Sequence, residues 1–242
     1  MSFFSCENIS KSFGGKKIID GIDLHVPEGG CISLVGPSGV GKTTLFNILA
    51  GLEPPDSGIV SLAGAEITGI PGRVSYMLQK DLLFEYRTVI DNVILPLLIR
   101  GEKKATARAT VKPFFADFGL SGYEYHYPRQ LSGGMRQRAA LIRTIMMYNP
   151  VFLLDEPFSA LDAITRLSMQ QWYRNIAARM NLSTIFITHD VDEALALSDR
   201  VYLLTGHPGR ITATIPVPSS GADFSLSHDY AILKRRILDA IL

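Results

Sequence analysis

Cysteine is scarce in this chain of 242 residues, and its scarcity excludes two kinds of structure. Both cysteines, Cys6 and Cys31, lie in apolar, strand-like segments. Two thiols cannot build the disulfide framework of a small secreted domain, and no zinc-binding spacing is present. We therefore expect both to be reduced, buried thiols of a cytosolic protein.

Long apolar segments are missing as well. The longest, "VIDNVILPLLI", is too short to cross a bilayer and is interrupted by Asp91, Asn92 and Pro96. The N-terminal stretch "MSFFSCENISKSFGG" lacks a basic start and a long apolar run, so we expect no secretory signal there. Any link to a membrane would then depend on a partner.

Basic residues form no extended run, and the formal net charge is only +1. No footprint of a nucleic-acid-binding domain is therefore visible. The one dense cluster, Lys234-Arg235-Arg236, fits a solvated helix face. Apolar residues make up 47% of the chain and charged residues 19%, as in folded globular proteins.

Apolar segments alternate with helical spacing over most of the chain. Residues 3–9 and 18–26 are predicted strands joined by a turn at Gly14-Gly15, and further strands are "CISLVG", "RVSYMLQ", "VFLLDE", "STIFITHD" and "RVYLLTG". Nearly continuous apolar strands separated by helices favour a parallel sheet covered on both faces. Residues 1–84 and 148–215 are the predicted α/β core, 85–147 an inserted helical subdomain, and 216–242 a helical tail with apolar positions 233, 237, 238 and 241.

A glycine-rich segment with the spacing Gly-x-x-x-x-Gly-Lys-Thr follows the strand "CISLVG" and opens a helix. Such a loop wraps backbone N–H groups around phosphates, while the lysine adds a charge and the threonine hydroxyl can bind Mg²⁺. The alternative is a glycine-rich turn without a ligand. The predicted nucleotide-binding residues of this loop are Gly36, Pro37, Ser38, Gly39, Val40, Gly41, Lys42, Thr43 and Thr44.

Two adjacent carboxylates, Asp155 and Glu156, end the apolar strand "VFLLDE". Ligands of open α/β sheets bind at the carboxyl ends of the strands. Asp155 would hold Mg²⁺ through water, and Glu156 would polarise an attacking water. The alternative is a solvated turn, which the nearby phosphate loop makes less favourable.

Two more polar side chains end predicted strands. His189 follows "TIFIT" at the same predicted edge of the sheet, where its ring could donate to a γ-phosphate; the alternative is a structural histidine. Gln79 ends "RVSYMLQ", and its carboxamide could bind Mg²⁺ or a bound water while linking the core to the helical region.

The segment "QLSGGMRQR" presents a second candidate anion site, because Ser132, Gly133 and Gly134 open a predicted helix. Together with the phosphate loop, Gln79, "VFLLDEP", "SALD" and His189, this segment resembles the ATP-binding-cassette (ABC) ATPase family over nearly the whole chain. The resemblance implies a single cassette domain over 1–242: a P-loop core with a mostly parallel sheet, an N-terminal antiparallel part and an inserted helical lobe.

The same resemblance gives the second anion site a purpose. In this family two cassettes pair head to tail, so residues 132–134 of one chain would cap the ATP bound by the other chain, with Asp162 of "SALD" on the same seam. Phe13 would stack on adenine where the family often has a tyrosine. Phe13 could instead be an ordinary core residue.

Two longer segments narrow the resemblance within the family. The sequences "YPRQLSGGMRQRAALIRT" and "HDVDEALALSDRVYLLTGHPGRI" resemble those of ATPase subunits of bacterial importers for nitrate, sulfonates, taurine and thiamine precursors. This implies an ATPase that uses ATP and Mg²⁺ and lies peripherally on the cytoplasmic face of the inner or plasma membrane. Its partners would be a second copy, a multi-span permease docked near Leu82 to Tyr86 and, indirectly, a periplasmic or surface solute-binding protein. The alternative for the apolar stretch after Gln79 is ordinary core of the helical lobe. Alternatives are a non-transport ABC ATPase or a P-loop kinase of small molecules.

Overall fold

The computed structural model describes residues 2–218 and 227–241, and it divides into two compact units. One unit comprises Met1–Val74, Pro150–Asp155 and Arg174–Leu242, and the other comprises Ser75–Asn149 and Glu156–Tyr173.

In chain order the strands are β1 (Phe4–Phe13), β2 (Lys16–Val26), β3 (Cys31–Val35), β4 (Ser57–Leu62), β5 (Ala65–Glu66), β6 (Ser75–Met77), β7 (Val151–Asp155), β8 (Ser183–Ile187), β9 (Arg200–Thr205) and β10 (Arg210–Pro216). The helices are α1 (Lys42–Leu49), α2 (Val89–Val93), α3 (Leu95–Ile99), α4 (Lys104–Asp117), α5 (Gly133–Ile145), α6 (Ala163–Met180), α7 (Val191–Leu197) and α8 (His228–Ile241).

An antiparallel sheet of the first unit has the strand order β2-β1-β4-β5. Its first hairpin turns at Gly14 and Gly15, whose φ angles are 56° and 79°. Two consecutive residues with positive φ match the right-handed twist of a hairpin, and glycine adopts this conformation without a steric penalty. The predicted turn is therefore confirmed.

The second sheet of this unit carries the strands that matter for the site. Its order is β10-β9-β3-β8-β7, in which β9, β3, β8 and β7 run parallel. Every residue of β7 and β8 is buried, as expected for parallel strands covered on both faces. The antiparallel strand β10 was not predicted, because its alternating, largely exposed pattern carries a weaker apolar signal.

The C-terminal helix α8 packs against the first unit through Tyr230, Leu233, Ile237 and Ile241. Ile237 is fully buried in a cluster with residues of α7 and β9. The prediction that Leu238 shares this face was wrong: this residue is 38% exposed, because it lies about 100° around the helix from Ile237.

The two cysteines differ in burial. Cys6 is buried within β1, whereas Cys31, the first residue of β3, keeps part of its surface exposed. Burial raises the pKa of both thiols, which opposes thiolate formation at neutral pH.

The second unit is mainly helical, with the short strand β6, helices α2 to α5, a 3-10 turn at Pro128–Gln130 and the first part of α6. The buried Asn92 of α2 fixes the loop that precedes this helix. Its Oδ1 accepts the N–H of Phe84 at 2.7 Å, and its Nδ2 donates to the carbonyl of Phe84 at 3.1 Å. Among the described residues, no helix combines the length and apolar character that crossing a bilayer requires.

Candidate functional site

The phosphate loop lies between β3 and α1 in the first unit, and two of its glycines have no room for a side chain. A Cβ at Gly36 would overlap the carbonyl oxygen of Leu204. At Gly41, where φ is 109°, a Cβ would lie 2.5 Å from the Ile19 side chain. Both positions therefore require glycine for close packing, and Gly41 also for its backbone conformation.

The charge and the amides of this loop suit a bound phosphate. Lys42 Nζ donates to the carbonyl oxygens of Gly36 at 2.7 Å and Pro37 at 2.8 Å, which holds the ammonium group across the loop. Gly41 provides no side-chain cap for α1, so an anion can accept from the N–H groups of the first turn. Thr43, in this first turn, is exposed.

Three adjacent parallel strands bring further predicted residues to one edge of the sheet. Asp155, the last residue of β7, is opposite Ile187 of β8, and Leu34 of β3 is opposite the same residue. His189 follows β8 by two residues, and the phosphate loop follows β3. Asp155 is buried and His189 is exposed. These residues and the phosphate loop lie at the carboxyl ends of parallel strands, which is where open α/β sheets bind ligands.

In the second unit the structure brings together Gln79 and Glu156. Gln79 Nε2 donates to Glu156 Oε2 at 3.2 Å. The φ angle of Glu156 is 50°, which a non-glycine residue adopts only at a cost of roughly 1–3 kcal/mol. The Glu156 carbonyl oxygen accepts from Gln137 Nε2 at 2.7 Å and from Ser159 Oγ at 3.0 Å, and these bonds hold the strained backbone.

Gln137 was not among the predicted site residues. Its Oε1 also accepts the N–H of Ala160 at 2.9 Å, so one buried carboxamide links α5 to both Glu156 and the "SALD" segment. The sequence feature that could have identified Gln137 is its place one helical turn after Gly133, on the face of the helix that carries Ala140 and Leu141. Helical spacing alone does not name its distant partners.

The two glycines of "LSGG" differ in their surroundings. Ser132 caps α5, because its Oγ accepts the N–H of Met135 at 3.3 Å. A Cβ at Gly133 would meet nothing closer than Arg136 Nη2 at 4.0 Å, whereas a Cβ at Gly134 would lie 3.0 Å from Leu161 Cδ2 and 3.1 Å from the Ala160 carbonyl oxygen. Gly133 thus has open space beside it, whereas Gly134 allows close packing of "SALD".

Asp162 has a local structural role in the second unit. Its Oδ1 accepts the N–H of Thr165 at 3.0 Å at the first turn of α6. Hydrogen bonds from the Thr165 backbone and side chain lower the pKa of Asp162, so the carboxylate stays charged.

A cavity of about 440 Å³ lies in the second unit beside these residues and is lined in part by Gln79, Gly133 and Gln137. The segment after Gln79 forms one wall and is held by two arginines of α5. Arg136 Nε lies 3.2 Å from Asp81 Oδ2, and Arg143 donates to the Asp81 carbonyl oxygen at 2.5 Å. The Gln79 segment and helix α5, which begins with the "LSGG" motif (called the signature below), therefore form one hydrogen-bonded assembly.

Phe13 lies at the end of β1 and is 48% exposed. Lys11 Nζ is 5.2 Å from the centre of its ring. This exposure argues against a core role and leaves a ring face available for stacking.

The chain matches the family model described as ABC transporter over residues 19–159. An aliphatic sulfonates import ATP-binding protein of Rhodococcus jostii is 43% identical over 225 residues, which cover 93% of this chain and 87% of that protein. A formylaminopyrimidine import ATP-binding protein of Halalkalibacterium halodurans is 38% identical, with 88% and 83% covered. A sulfate/thiosulfate import ATP-binding protein of Mycobacterium tuberculosis is 41% identical over 84% of this chain, but the match spans only 58% of that relative's length.

Solved structures agree with these matches. The dimeric post-hydrolysis state of the ATP-binding cassette MJ0796, bound to ADP and Pi, superimposes with a TM-score of 0.81 at 25% identity. That match covers 89% of this chain and 99% of the other. The α/β fold class expected from the sequence is confirmed, and the chain belongs to the ABC transporter family as one of its ATP-binding-cassette ATPases.

Proposed function

We propose that this chain binds and hydrolyses ATP to energise a bacterial importer of a small solute. The observation that carries the proposal is the shared carboxyl edge of β3, β8 and β7, which bears the phosphate loop, His189 and Asp155. Relatives named for import of sulfonate, sulfate/thiosulfate and formylaminopyrimidine support the transport role. We infer a small solute of the nitrate, sulfonate, taurine or thiamine-precursor type.

Each side chain of the proposed site has a distinct task. Lys42 and the loop amides bind the β- and γ-phosphates, and His189 donates to the γ-phosphate. Glu156 accepts the proton of the water that attacks the γ-phosphorus as the bond to the bridging oxygen breaks. Gln79, hydrogen-bonded to Glu156, orients that carboxylate.

The donor set also suits Mg²⁺, since a hydroxyl and a carboxylate are hard oxygen ligands. Thr43 and Asp155 would hold the ion, directly or through water, with Gln79 as an additional oxygen donor. Mg²⁺ bound there would neutralise charge that develops on the phosphate oxygens.

We infer that the active form is a head-to-tail dimer of two copies. The open position of Gly133 at the start of α5 lets a phosphate of the second copy's ATP approach Ser132–Gly134. Asp162 then lies on the same seam. The dimeric state named for the MJ0796 cassette supports this arrangement.

We also infer a permease partner at the segment after Gln79. Leu82, Phe84 and Tyr86 expose 54%, 44% and 73% of their surface, an unusual apolar group on a short segment. Docking there would place the chain on the cytoplasmic face of the inner or plasma membrane, with a solute-binding protein as an indirect partner. A non-transport ABC ATPase or a small-molecule kinase would not require this exposed group.

Complementation between two inactive variants tests both the site and the dimer. One chain carries Lys42→Ala, and the other carries Gly133→Asp, whose carboxylate would repel the γ-phosphate without crowding its own unit. Both also carry Glu156→Gln, which removes the base, typically worth about 10²–10⁴ in rate, and so preserves bound ATP. A mixed dimer has one site with both defects and one intact site.

We expect ATP-dependent cross-linking between the two variants in the mixture and little in either alone. The parent Glu156→Gln chain, mixed with each variant, is the positive control. If those controls capture ATP while the two variants mixed together do not, the signature acts within its own chain and the head-to-tail model is wrong. Near-normal hydrolysis by Glu156→Gln alone would disprove the role of Glu156.

A further inference from the structure

The C-terminal helix α8 lies against the helix that follows His189, and the proposed function gives it no task. Ile237 of α8 is buried in a cluster with Ala194 and Leu195 of α7. Tyr230 and Leu233 pack against the same cluster. Helix α8 therefore rests on α7, which begins two residues after His189.

Polar contacts connect the same two helices at the first turn of α7. Tyr230 Oη donates to Asp192 Oδ1 at 2.6 Å. Lys234 Nζ lies 2.7 Å from Oδ1 and 2.8 Å from Oδ2 of the same carboxylate. Tyr230 and Lys234 are one helical turn apart, so α8 binds both oxygens of Asp192 from one face.

Hydrogen bonds continue from Asp192 to both neighbours of His189. Asp190 caps α7, and its Oδ1 accepts the N–H of Asp192 at 2.9 Å and that of Glu193 at 3.2 Å. The N–H of Asp190 donates to Thr188 Oγ1 at 3.0 Å. The backbone on each side of His189 is therefore part of a connected set of contacts that starts on α8.

The Asp192 contacts are better suited to orientation than to stability. The Asp192 side chain is 54% exposed and that of Lys234 is 39% exposed, and ion pairs this accessible contribute little to folding. The apolar contacts of Ile237 and Leu233 already hold α8 in place. Partial burial raises the pKa of Asp192, but hydrogen bonds from Lys234 and Tyr230 outweigh it and lower that pKa, so the carboxylate is charged at neutral pH.

We propose that Tyr230, Lys234 and Asp192 are positioning residues that orient His189 for contact with the γ-phosphate, so that α8 controls the turnover rate. The inference rests on the role of His189 in the proposed function. It predicts an effect on kcat from residues that touch neither ATP nor Mg²⁺.

The test compares two pairs of substitutions on α8 in the full chain. Tyr230→Phe with Lys234→Met removes both donors to Asp192 and keeps the apolar parts of the side chains. The control is Arg235→Met with Asp239→Asn, which breaks the exposed Arg235–Asp239 ion pair, 3.7 Å apart on the same helix.

We expect the Tyr230→Phe, Lys234→Met variant to lower kcat roughly tenfold, as misplacement of a reacting group does. The KM for ATP should stay within about twofold, the pattern of an interaction needed mainly in the transition state. The control should change neither kcat nor KM, and neither pair should shift the Tm.

A His189→Ala background separates positioning from general structure. If the donors act through His189, removing them in that background causes no further loss of kcat. A further loss, or a lower Tm, would show a structural role and overturn the inference. A wild-type kcat without the donors, with a slow His189→Ala, overturns the inference but leaves the proposed function intact. A wild-type kcat in His189→Ala disproves the role of His189 and the inference with it.

Discussion

Gln137 donates its side-chain N–H to the main-chain carbonyl of Glu156 at 2.7 Å, across 19 residues of sequence. The same carboxamide accepts the N–H of Ala160 at 2.9 Å. Helix α5 begins at the "LSGG" glycines, so this contact links the proposed binding site for the second copy's ATP to the proposed general base within one unit. Because Glu156 has a φ of 50°, it depends on such contacts to keep its orientation.

The first prediction concerns Gln137→Met, which keeps the length of the side chain but removes the hydrogen bonds of its carboxamide. We expect kcat to fall on the order of 10-fold or more, because Glu156 loses its support, while ATP affinity stays nearly unchanged. The unfolding free energy should fall by about 1–3 kcal/mol, since buried polar groups lose their partner. Steady-state kinetics and denaturant titration measure the two effects. A wild-type kcat in Gln137→Met would contradict the prediction.

Alanine at the two signature glycines should give opposite results. Gly133→Ala meets open space and should leave the Tm unchanged, yet its methyl group should weaken the ATP-dependent dimer of the Glu156→Gln chain. Gly134→Ala should cost about 1–3 kcal/mol by overpacking against Leu161 and the Ala160 carbonyl, which lowers the Tm by several degrees. Thermal melts and sizing columns with ATP distinguish the two. Equal Tm values for both variants would refute the packing argument.

The role of Phe13 can be tested by changing only its aromatic ring. Phe13→Ala should weaken ATP binding by about 1–3 kcal/mol, the scale of base stacking on an aromatic side chain. Phe13→Tyr should retain wild-type affinity, because its ring still stacks. Equilibrium dialysis with labelled ATP gives both values. Equal affinity of the alanine and tyrosine variants would exclude Phe13 as the adenine platform.

Asp91 makes the stability of the helical unit dependent on pH. Partial burial raises its pKa, but hydrogen bonds from Lys104 at 2.8 Å and Arg108 at 2.7 Å outweigh burial, so the pKa lies below the usual value of about 3.9. A carboxyl group whose pKa is lowered by folding stabilises the protein fully above its unfolded pKa, and this contribution disappears as the pH falls through the folded pKa.

Asp91→Asn should therefore lower the Tm at pH 7, and the difference should shrink as the pH falls below about 4, first because the unfolded chain takes up the proton and then because the folded carboxyl does. Thermal melts across pH 3 to 7 measure the gap between the two proteins. Asp229→Asn, in the exposed first turn of α8, is the control and should show a smaller gap at pH 7. A gap for Asp91→Asn that stays constant down to pH 3 would contradict the assignment.

Much of the fold and part of the site were predictable because their signals are local. The phosphate loop combines a fixed glycine spacing with a strand before it and a helix after it, and the strands β3, β7, β8 and β9 are mostly apolar. Asp155 and His189 were predicted at one edge because parallel strands place their carboxyl ends together. The family resemblance was also visible in the sequence, because each of its motifs is a short run of residues that are neighbours along the chain.

Tertiary structure alone decided the contacts between distant residues. Gln137 and Tyr230 have partners 19 and 38 positions away, and no local period identifies such partners. The sequence by itself determined which backbone segments can wrap a phosphate, since glycine spacing and strand ends set local conformation. Only the packed structure decided that Gln137 supports Glu156 and that α8 reaches Asp192, because hydrogen-bond partners depend on where separate elements meet.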